Sequence, residues 1–129
     1  MMGLRFACQK RYGLTLTGHH PLALIIGCAR GVWDDIAAAQ DQFNFDSVII
    51  VNKAGVDYPR HIDHWVSHHS GQFWQWSKDR QARGYPLNGV RYWSDKILTD
   101  KRVLVEQAQP TDGSSGMLAV YVAKRLGMK

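Results

Sequence analysis

Two glycine-rich turns in the sequence each lead into an apolar segment with helical spacing. They are GCARG at 27–31 and DGSSG at 112–116. A glycine turn that enters a helix lets backbone N–H groups approach an anion closely, and the positive end of the helix dipole assists. Ser114 or Ser115 can cap the second helix or donate a hydrogen bond to a phosphate or a sugar. Neither turn has the spacing of a dinucleotide fingerprint or of a P-loop, so a plain strand-to-helix connection fits each of them as well.

Histidine is concentrated in one short part of the chain. Four histidines fall within nine residues: His61, His64, His68 and His69. A histidine at the end of a strand can act as a general acid or base, and we assign this role to His68, with Asp57 as a second candidate base. His64 and His68 would share one face of a strand, as metal-binding histidines can, but only Asp63 lies near enough in sequence to add a ligand. We therefore predict no metal ion and no cofactor, and we expect at least two of the histidines to be ordinary surface residues.

The elements that would position these groups alternate between strands and helices. Continuous apolar runs predict buried strands at 22–26 and 48–51, and Asn52 ends the second. The other predicted elements are short strands around Trp65, at 90–94 and at 101–107, and helices that begin near Val32, Gly71 and Ser115. This alternation predicts an α/β fold, a three-layer Rossmann-like sandwich with a mostly parallel sheet of about five strands. We expect one domain over 1–129, with residues 1–20 as an N-terminal extension or an edge strand.

Sheets of this kind bind ligands at the carboxyl ends of their strands, near the point where the strand order reverses. The predicted elements bring the segments at 27–31, 52–57, 67–69 and 112–116 to that edge. We therefore predict one rim that binds a phosphorylated ligand. Its predicted ligand-binding residues are Gly27, Cys28, Asn52, Ser114, Ser115 and Gly116.

The composition indicates an ordinary globular domain with a basic surface. The chain has 129 residues and a formal net charge of +5, with its Lys and Arg residues scattered. Positive charge attracts phosphate of any origin, so a module that binds nucleic acid through these cations and the aromatic-rich segment 58–93 is an alternative, although such aromatics more often form core. Cys8 and Cys28 form no disulfide framework, and neither an apolar run of membrane-spanning length nor a signal peptide is seen. We expect a cytoplasmic protein.

Four stretches of the chain resemble a known family. LALIIGCARGVWDDI, FDSVIIVNKAG, DHWVSHH and SSGMLAVYVAKRLGMK are similar to the Rossmann-like core of the bacterial sialyltransferases that use CMP-sialic acid, and of glycosyltransferase-like relatives in bacteria and phages. The resemblance implies that Asn52 contacts a nucleotide-sugar, that Ser114, Ser115 and Gly116 lie beside its nucleotide, and that Gly27 opens the first turn. The catalytic histidine of the family lies beyond the matched part, so the resemblance assigns no role to His68.

In the family, a further strand follows the helix that closes this chain at Lys129. Either the chain is a truncated or minimal member of such a family, or the N-terminal segment or a second copy fills the corresponding edge of the sheet, since an unfilled edge is a template for pairing. A homodimer is therefore predicted. Three functions follow in order of preference: a nucleotide or nucleotide-sugar-binding glycosyltransferase-like domain in which catalysis is retained or lost, a basic nucleic-acid-binding module, and a structural or interaction protein without catalysis.

Overall fold

The computed structural model describes residues 21–96, 101–108 and 113–128. The predicted N-terminal extension and Asp112 lie outside the described residues. Within these ranges the strands are β1 (Ala23–Ile26), β2 (Ser47–Val51), β3 (His64–Val66), β4 (Arg91–Ser94) and β5 (Val105–Gln107). The helices are α1 (Val32–Gln42), α2 (Ala54–Asp57), α3 (Phe73–Ala82) and α4 (Ser115–Arg125), and a 3-10 turn at Ser70–Gln72 precedes α3. Both α1 and α4 have 11 residues, and none of the helices in the described ranges is long and apolar enough to cross a bilayer.

All five strands pair in parallel in the order β1-β2-β3-β4-β5. The register sets Ile26 level with Ile50, and Ile50 level with Trp65. The predicted α/β class with a parallel sheet of about five strands is therefore confirmed. One expectation differs, because the order of the described strands never reverses. Each connection moves to the next strand in the same direction, so these strands have no switch point at which a ligand would be expected.

The helices cover the two faces of the sheet unequally. Crossovers between parallel strands have one hand, so successive connections in one direction place their helices on the same face. Accordingly Ile36 of α1, Val56 of α2 and Phe73 of α3 pack into one core with Ile50 and Trp65. The opposite core joins α4 to the other face of the strands through Ile49, Val51, Val66, Leu118 and Val122. Thus α4 returns from the β5 edge to cover β1, β2 and β3.

The aromatic residues of the segment 58–93 mainly form core, as the sequence favours. Trp65 is fully buried, and its ring lies 6.3 Å from that of Trp76 and 5.8 Å from that of Tyr92, with Phe73 meeting it edge-on. Trp74 is half-buried at the surface of this cluster. The segment therefore supplies the packing between α3 and the sheet, and only part of it remains accessible to a ligand.

Candidate functional site

The carboxyl ends of β1 to β4 and the start of α4 form a continuous polar rim. The turn after β1 begins at Gly27 and ends at Gly31, whose φ of 81° lies in the left-handed region that glycine adopts without a steric cost. Within the turn, the Cys28 thiol donates to the Val51 carbonyl over 3.3 Å. This contact ties the turn after β1 to the end of β2, next to Asn52.

Asn52 has a positive φ of 53°, and no other non-glycine residue in the described ranges does. Asparagine tolerates this conformation better than most residues. Its carbonyl accepts from the indole of Trp65 at 2.7 Å, and its side-chain Oδ1 accepts from the Ser67 hydroxyl at 2.6 Å. Ser67, which is fully buried, accepts in turn from the His69 N–H at 2.8 Å. The ends of β2 and β3 are thus joined through one side-chain pair, which leaves the Asn52 amino group as its donor toward a ligand.

His68 stands at the centre of the rim. Its backbone N–H donates to the Ser115 hydroxyl at 3.0 Å, and this contact fixes α4 against the end of β3. Its ring Nδ1 lies 3.1 Å from Oδ1 of Asp95, with both side chains mostly buried at 19% and 15% exposure. Its Nε2 is buried and has no hydrogen-bond partner among the described residues. Asp95 accepts from Nδ1, so Nε2 is the ring nitrogen that has no partner among the described residues.

Asp95 follows β4 and was missed by the sequence analysis. Ser94 donates to Oδ1 of Asp95 at 3.3 Å, and the Lys96 N–H donates to the Ser94 hydroxyl at 3.4 Å. Burial acts to raise the pKa of Asp95, but its hydrogen bond and attraction to His68 outweigh burial and hold that pKa below the ordinary value of 3.8. The signal for Asp95 in the sequence is an acid directly after the strand predicted at 90–94.

The two serines of the second turn have different roles. Ser114 is the N-cap of α4 and accepts from the Met117 N–H at 3.3 Å, while Gly113 before it has a φ of 130°. Ser115 is buried and accepts from His68 instead. The capping predicted for one of the two is therefore found at Ser114, and Gly116 follows in the first turn of the helix.

Most of the predicted ligand-binding residues come together at this rim. Gly27, Cys28, Asn52, Ser114, Ser115 and Gly116 all lie on the segments described above, and His68 lies among them. Asp57 does not join them in any described contact: it ends α2 and forms an ion pair with Arg83, which follows α3. The acid beside His68 is therefore Asp95, which is not among the residues predicted from the sequence.

The histidine cluster is divided by the fold. His61 is exposed and pairs with Asp63 at 3.2 Å, whereas His64 is buried within β3 and accepts from the indole of Trp93 at 3.0 Å. In the described part of the chain, no three side chains of the metal-binding types converge. Although these histidines are close in sequence, the fold therefore places them in separate surroundings.

Comparisons of the chain with protein-family models, with curated proteins and with solved structures found no match. The resemblance to the bacterial sialyltransferases therefore depends on the quoted motifs alone.

Proposed function

We propose that the chain binds a nucleotide or nucleotide-sugar at the rim formed by the turn after β1, Asn52, His68 and the start of α4, as a glycosyltransferase-like domain. The observation that carries the proposal is the link from Asn52 through Ser67 to β3, and from His68 to Ser115. Through it, residues that are remote in sequence lie beside one another at one edge of the sheet.

Phosphate fits the electrostatics of the α4 end of this edge, whereas α1 carries Asp34 and Asp35 in its first turn. Helix α4 has 11 residues, with no acid in its first turn and with Lys124 and Arg125 in its last. Its positive dipole end faces the rim, and the described first turn carries no carboxylate to offset it. The second turn and the turn at 27–31 both offer backbone N–H groups, and Asn52 offers an amide donor for a ribose or a base.

In this proposal the bound ligand opens the rim around His68, whose Nε2 is buried in the described structure, and His68 then accepts the proton of an acceptor hydroxyl. Asp95 holds the ring so that Nε2 is the basic atom, as an acid does for a histidine base in hydrolases. The hydroxyl oxygen then forms a bond to the anomeric carbon, the bond from that carbon to the phosphate breaks, and the nucleotide leaves with the electron pair. The first turn of α4 stabilises the negative charge of the leaving phosphate.

Binding is tested by calorimetry with CMP, UDP and GDP. Wild-type protein is expected to bind at least one of them. Asn52→Gly is expected to lower the affinity for that nucleotide about fivefold, as loss of one hydrogen bond does. Glycine keeps the left-handed backbone at position 52, so the variant removes only the side chain. Asn88→Gly, in an exposed turn, is the control. Absence of binding by all three nucleotides at millimolar concentration would contradict the proposal.

The proton-transfer role has a separate readout. For the nucleotide that binds, we expect its sugar conjugate to release free nucleotide slowly in the presence of protein. His68→Gln should retain nucleotide binding and lower the release rate about a hundredfold, as loss of a general base does. Binding with equal release by both proteins would leave the rim as a binding site and remove His68 from the chemistry.

A second copy of the chain is the further partner that we propose. The outer side of α4 exposes three large apolar residues at helical spacing, Met117, Val120 and Tyr121, each between 44% and 49% exposed. Strand β1 is an edge of the described sheet, and α4 covers it. An apolar stripe beside the edge strand of the described sheet favours association of two copies through this side.

A further inference from the structure

A groove lies between α3 and β5, on the face of the sheet opposite to α4. It has a volume of about 420 Å³. Among the described elements α3 is the last helix on its face, since it connects β3 to β4, and the helix that follows β5 packs on the other face. Val103 and Val105 therefore reach the core cluster at the margin of the helical layer. The groove is the space left where that layer ends.

One wall of the groove is an aromatic ring flanked by cations. Trp74, in the first turn of α3, is half-buried, and its ring is met by the Arg102 guanidinium at 4.8 Å and by the Lys78 ammonium at 5.7 Å. Both distances are those of cation–π contacts. Arg102 precedes β5, so the two cations approach Trp74 from different elements. The wall therefore combines a flat π surface with two positive charges.

The acid in the lining is paired with a third cation, Arg91. Of the described residues that line the groove, Glu106 alone carries a carboxylate. Arg91 donates to its two oxygens at 2.7 Å and 2.6 Å, and these hydrogen bonds lower the pKa of Glu106 below its ordinary value. Arg91 thus offsets Glu106, and Lys78 and Arg102 are the other two cations of the described lining.

Most of the remaining lining is apolar, and Ser77, Gln81 and Tyr92 are its polar members. Leu87, Val90 and Val103 contribute to its lining, and Leu104 at its margin is 87% exposed. A ligand that fits must bring flat apolar surface and negative charge in the same small unit. A nucleotide of a single strand does so, because its base can stack while its phosphate pairs with a cation. A duplex keeps its bases stacked inside, and an acidic peptide would match the cations but offer no such flat surface.

We propose that the groove between α3 and β5 binds single-stranded nucleic acid, with a base stacked on Trp74 and the neighbouring phosphates paired with Lys78 and Arg102. Lys78 and Arg102 both lie against the Trp74 ring. As the base stacks on one face of the indole, the cation on that face moves from the ring to the adjacent phosphate. The proposal does not depend on the rim, which lies at the strand ends and at the start of α4.

The charge contribution is tested with fluorescein-labelled oligonucleotides of fifteen thymidines or fifteen uridines, by anisotropy over a salt series. We expect binding that weakens with salt, and the double variant Lys78→Gln/Arg102→Gln should bind about tenfold more weakly with a salt slope lower by about 1.4. The control, Arg60→Gln/Lys124→Gln, removes one Arg and one Lys from exposed positions elsewhere and leaves the same net charge. Equal loss in both double variants would overturn the proposal, since it would show general charge attraction.

Stacking is tested by Trp74→Leu, which should weaken binding about tenfold with an unchanged salt slope, because a base loses its platform while the phosphate contacts remain. Trp33→Leu is the matched control, since Trp33 on α1 is 43% exposed and away from the groove. Near-ultraviolet circular dichroism establishes that each variant is folded. Failure of both oligonucleotides to bind at 50 mM salt would overturn the proposal, as would equal affinity of Trp74→Leu and wild type or equal competition by poly-glutamate. The preference between the two oligonucleotides tells DNA from RNA.

Discussion

Arg80 is fully buried, and it is held by the backbone rather than by an acid in its described contacts. Its guanidinium donates to the carbonyls of Gly55, Tyr58, Arg60 and Pro86. Burial lowers the pKa of Arg80, yet the guanidinium remains charged in proteins. One side chain of α3 thereby fixes the whole loop from α2 to β3 and the turn before β4.

Replacing Arg80 should therefore be costly. Arg80→Met keeps the length of the side chain but leaves these buried carbonyls without their donor, and we expect the free energy of unfolding to fall by about 3 kcal/mol. Urea denaturation measures it. Arg83→Met, three residues on, removes only the exposed pair with Asp57 and should cost less than about 1 kcal/mol. Similar losses in the two variants would show that Arg80 has no special role.

His64 should make the stability of the fold depend on pH. Burial, and to a smaller extent the charge of Arg91, lower the pKa of His64 below its ordinary value of 6.5. The unfolded chain therefore binds a proton there before the folded chain does. The stabilisation by neutral His64 is complete above pH 6.5 and is lost as pH falls from 6.5 toward the lowered pKa.

The test compares His64→Asn with wild type in urea between pH 8 and pH 5. Asparagine keeps an acceptor for the indole of Trp93 but does not titrate. We expect the stability of the variant to fall less over this range than that of the wild type. Parallel pH profiles would contradict the prediction. His61→Asn, at an exposed position, is the control and should leave the profile unchanged.

At this scale the sequence identifies residue types but not their surroundings. It singles out His68 and Asn52 correctly as strand-end residues, because apolar runs mark where a strand stops. It cannot separate His68 from His64, which lie four positions apart and differ only in what packs around them. It also cannot supply Asp95, whose role comes from the pairing of β3 with β4.

Among the elements, the long apolar strands and the helices with regular spacing are the ones that the sequence predicts well. The strands at 22–26 and 48–51 are found as β1 and β2, and the predicted helices are found as α1, α3 and α4. Helix α2 was not predicted, because four residues are too short for a helical period to appear. Its position depends on tertiary contacts with Trp65 and Arg80, which no local pattern contains.

Gly55, within α2, is required by close packing. A Cβ at this position would lie 2.2 Å from Cε2 of Trp65, whose side chain is fully buried. Gly55→Ala should therefore lower the free energy of unfolding by about 2–3 kcal/mol, because the indole must shift against its neighbours. Gly71→Ala, where a Cβ would have nothing within 4 Å, is the control and should change stability little. Chemical denaturation of both proteins provides the comparison, and equal stability would refute the close approach.

Ser114 starts α4, and its removal should loosen the helix. Ser114→Ala deletes the acceptor for the Met117 N–H and is expected to cost about 1 kcal/mol. Ser114→Asp keeps an acceptor and adds a negative charge at the helix N-terminus, so it should preserve stability. Thermal unfolding distinguishes the two variants. If alanine and aspartate behave alike, capping is not what Ser114 contributes.

For the whole molecule, the parallel sheet could be predicted from the alternation of elements, but the strand order could not. The choice between an order that reverses and one that runs straight depends on which side each crossover takes and where α4 docks. Those choices are made by contacts such as Leu118 and Val122 with Ile49 and Val51. The rim was therefore predicted correctly as a meeting of strand ends, although the reason given for its position, a reversal of order, does not apply.

The proposed homodimer is testable at this scale by light scattering coupled to gel filtration. We expect twice the 14.6 kDa chain mass at micromolar concentration, and we expect Val120→Glu to give the monomer mass, because it places a charge in the apolar stripe of α4. Ala38→Glu, at an exposed position of α1, should remain dimeric. A monomeric wild type would refute the proposal.

In the described part of the chain, α4 is the one helix on its side of the sheet, so the rim depends on the docking of that helix. Leu118, Ala119 and Val122 attach α4 to the central strands, and the same helix carries Ser115 to the backbone of His68. If α4 detaches, the hydrogen bond from the His68 N–H to Ser115 is lost in the same event. The opposite layer, which Arg80 holds together, can stay in place. The protection of the α4 amides against hydrogen exchange would then measure the fraction of molecules in which the rim is formed.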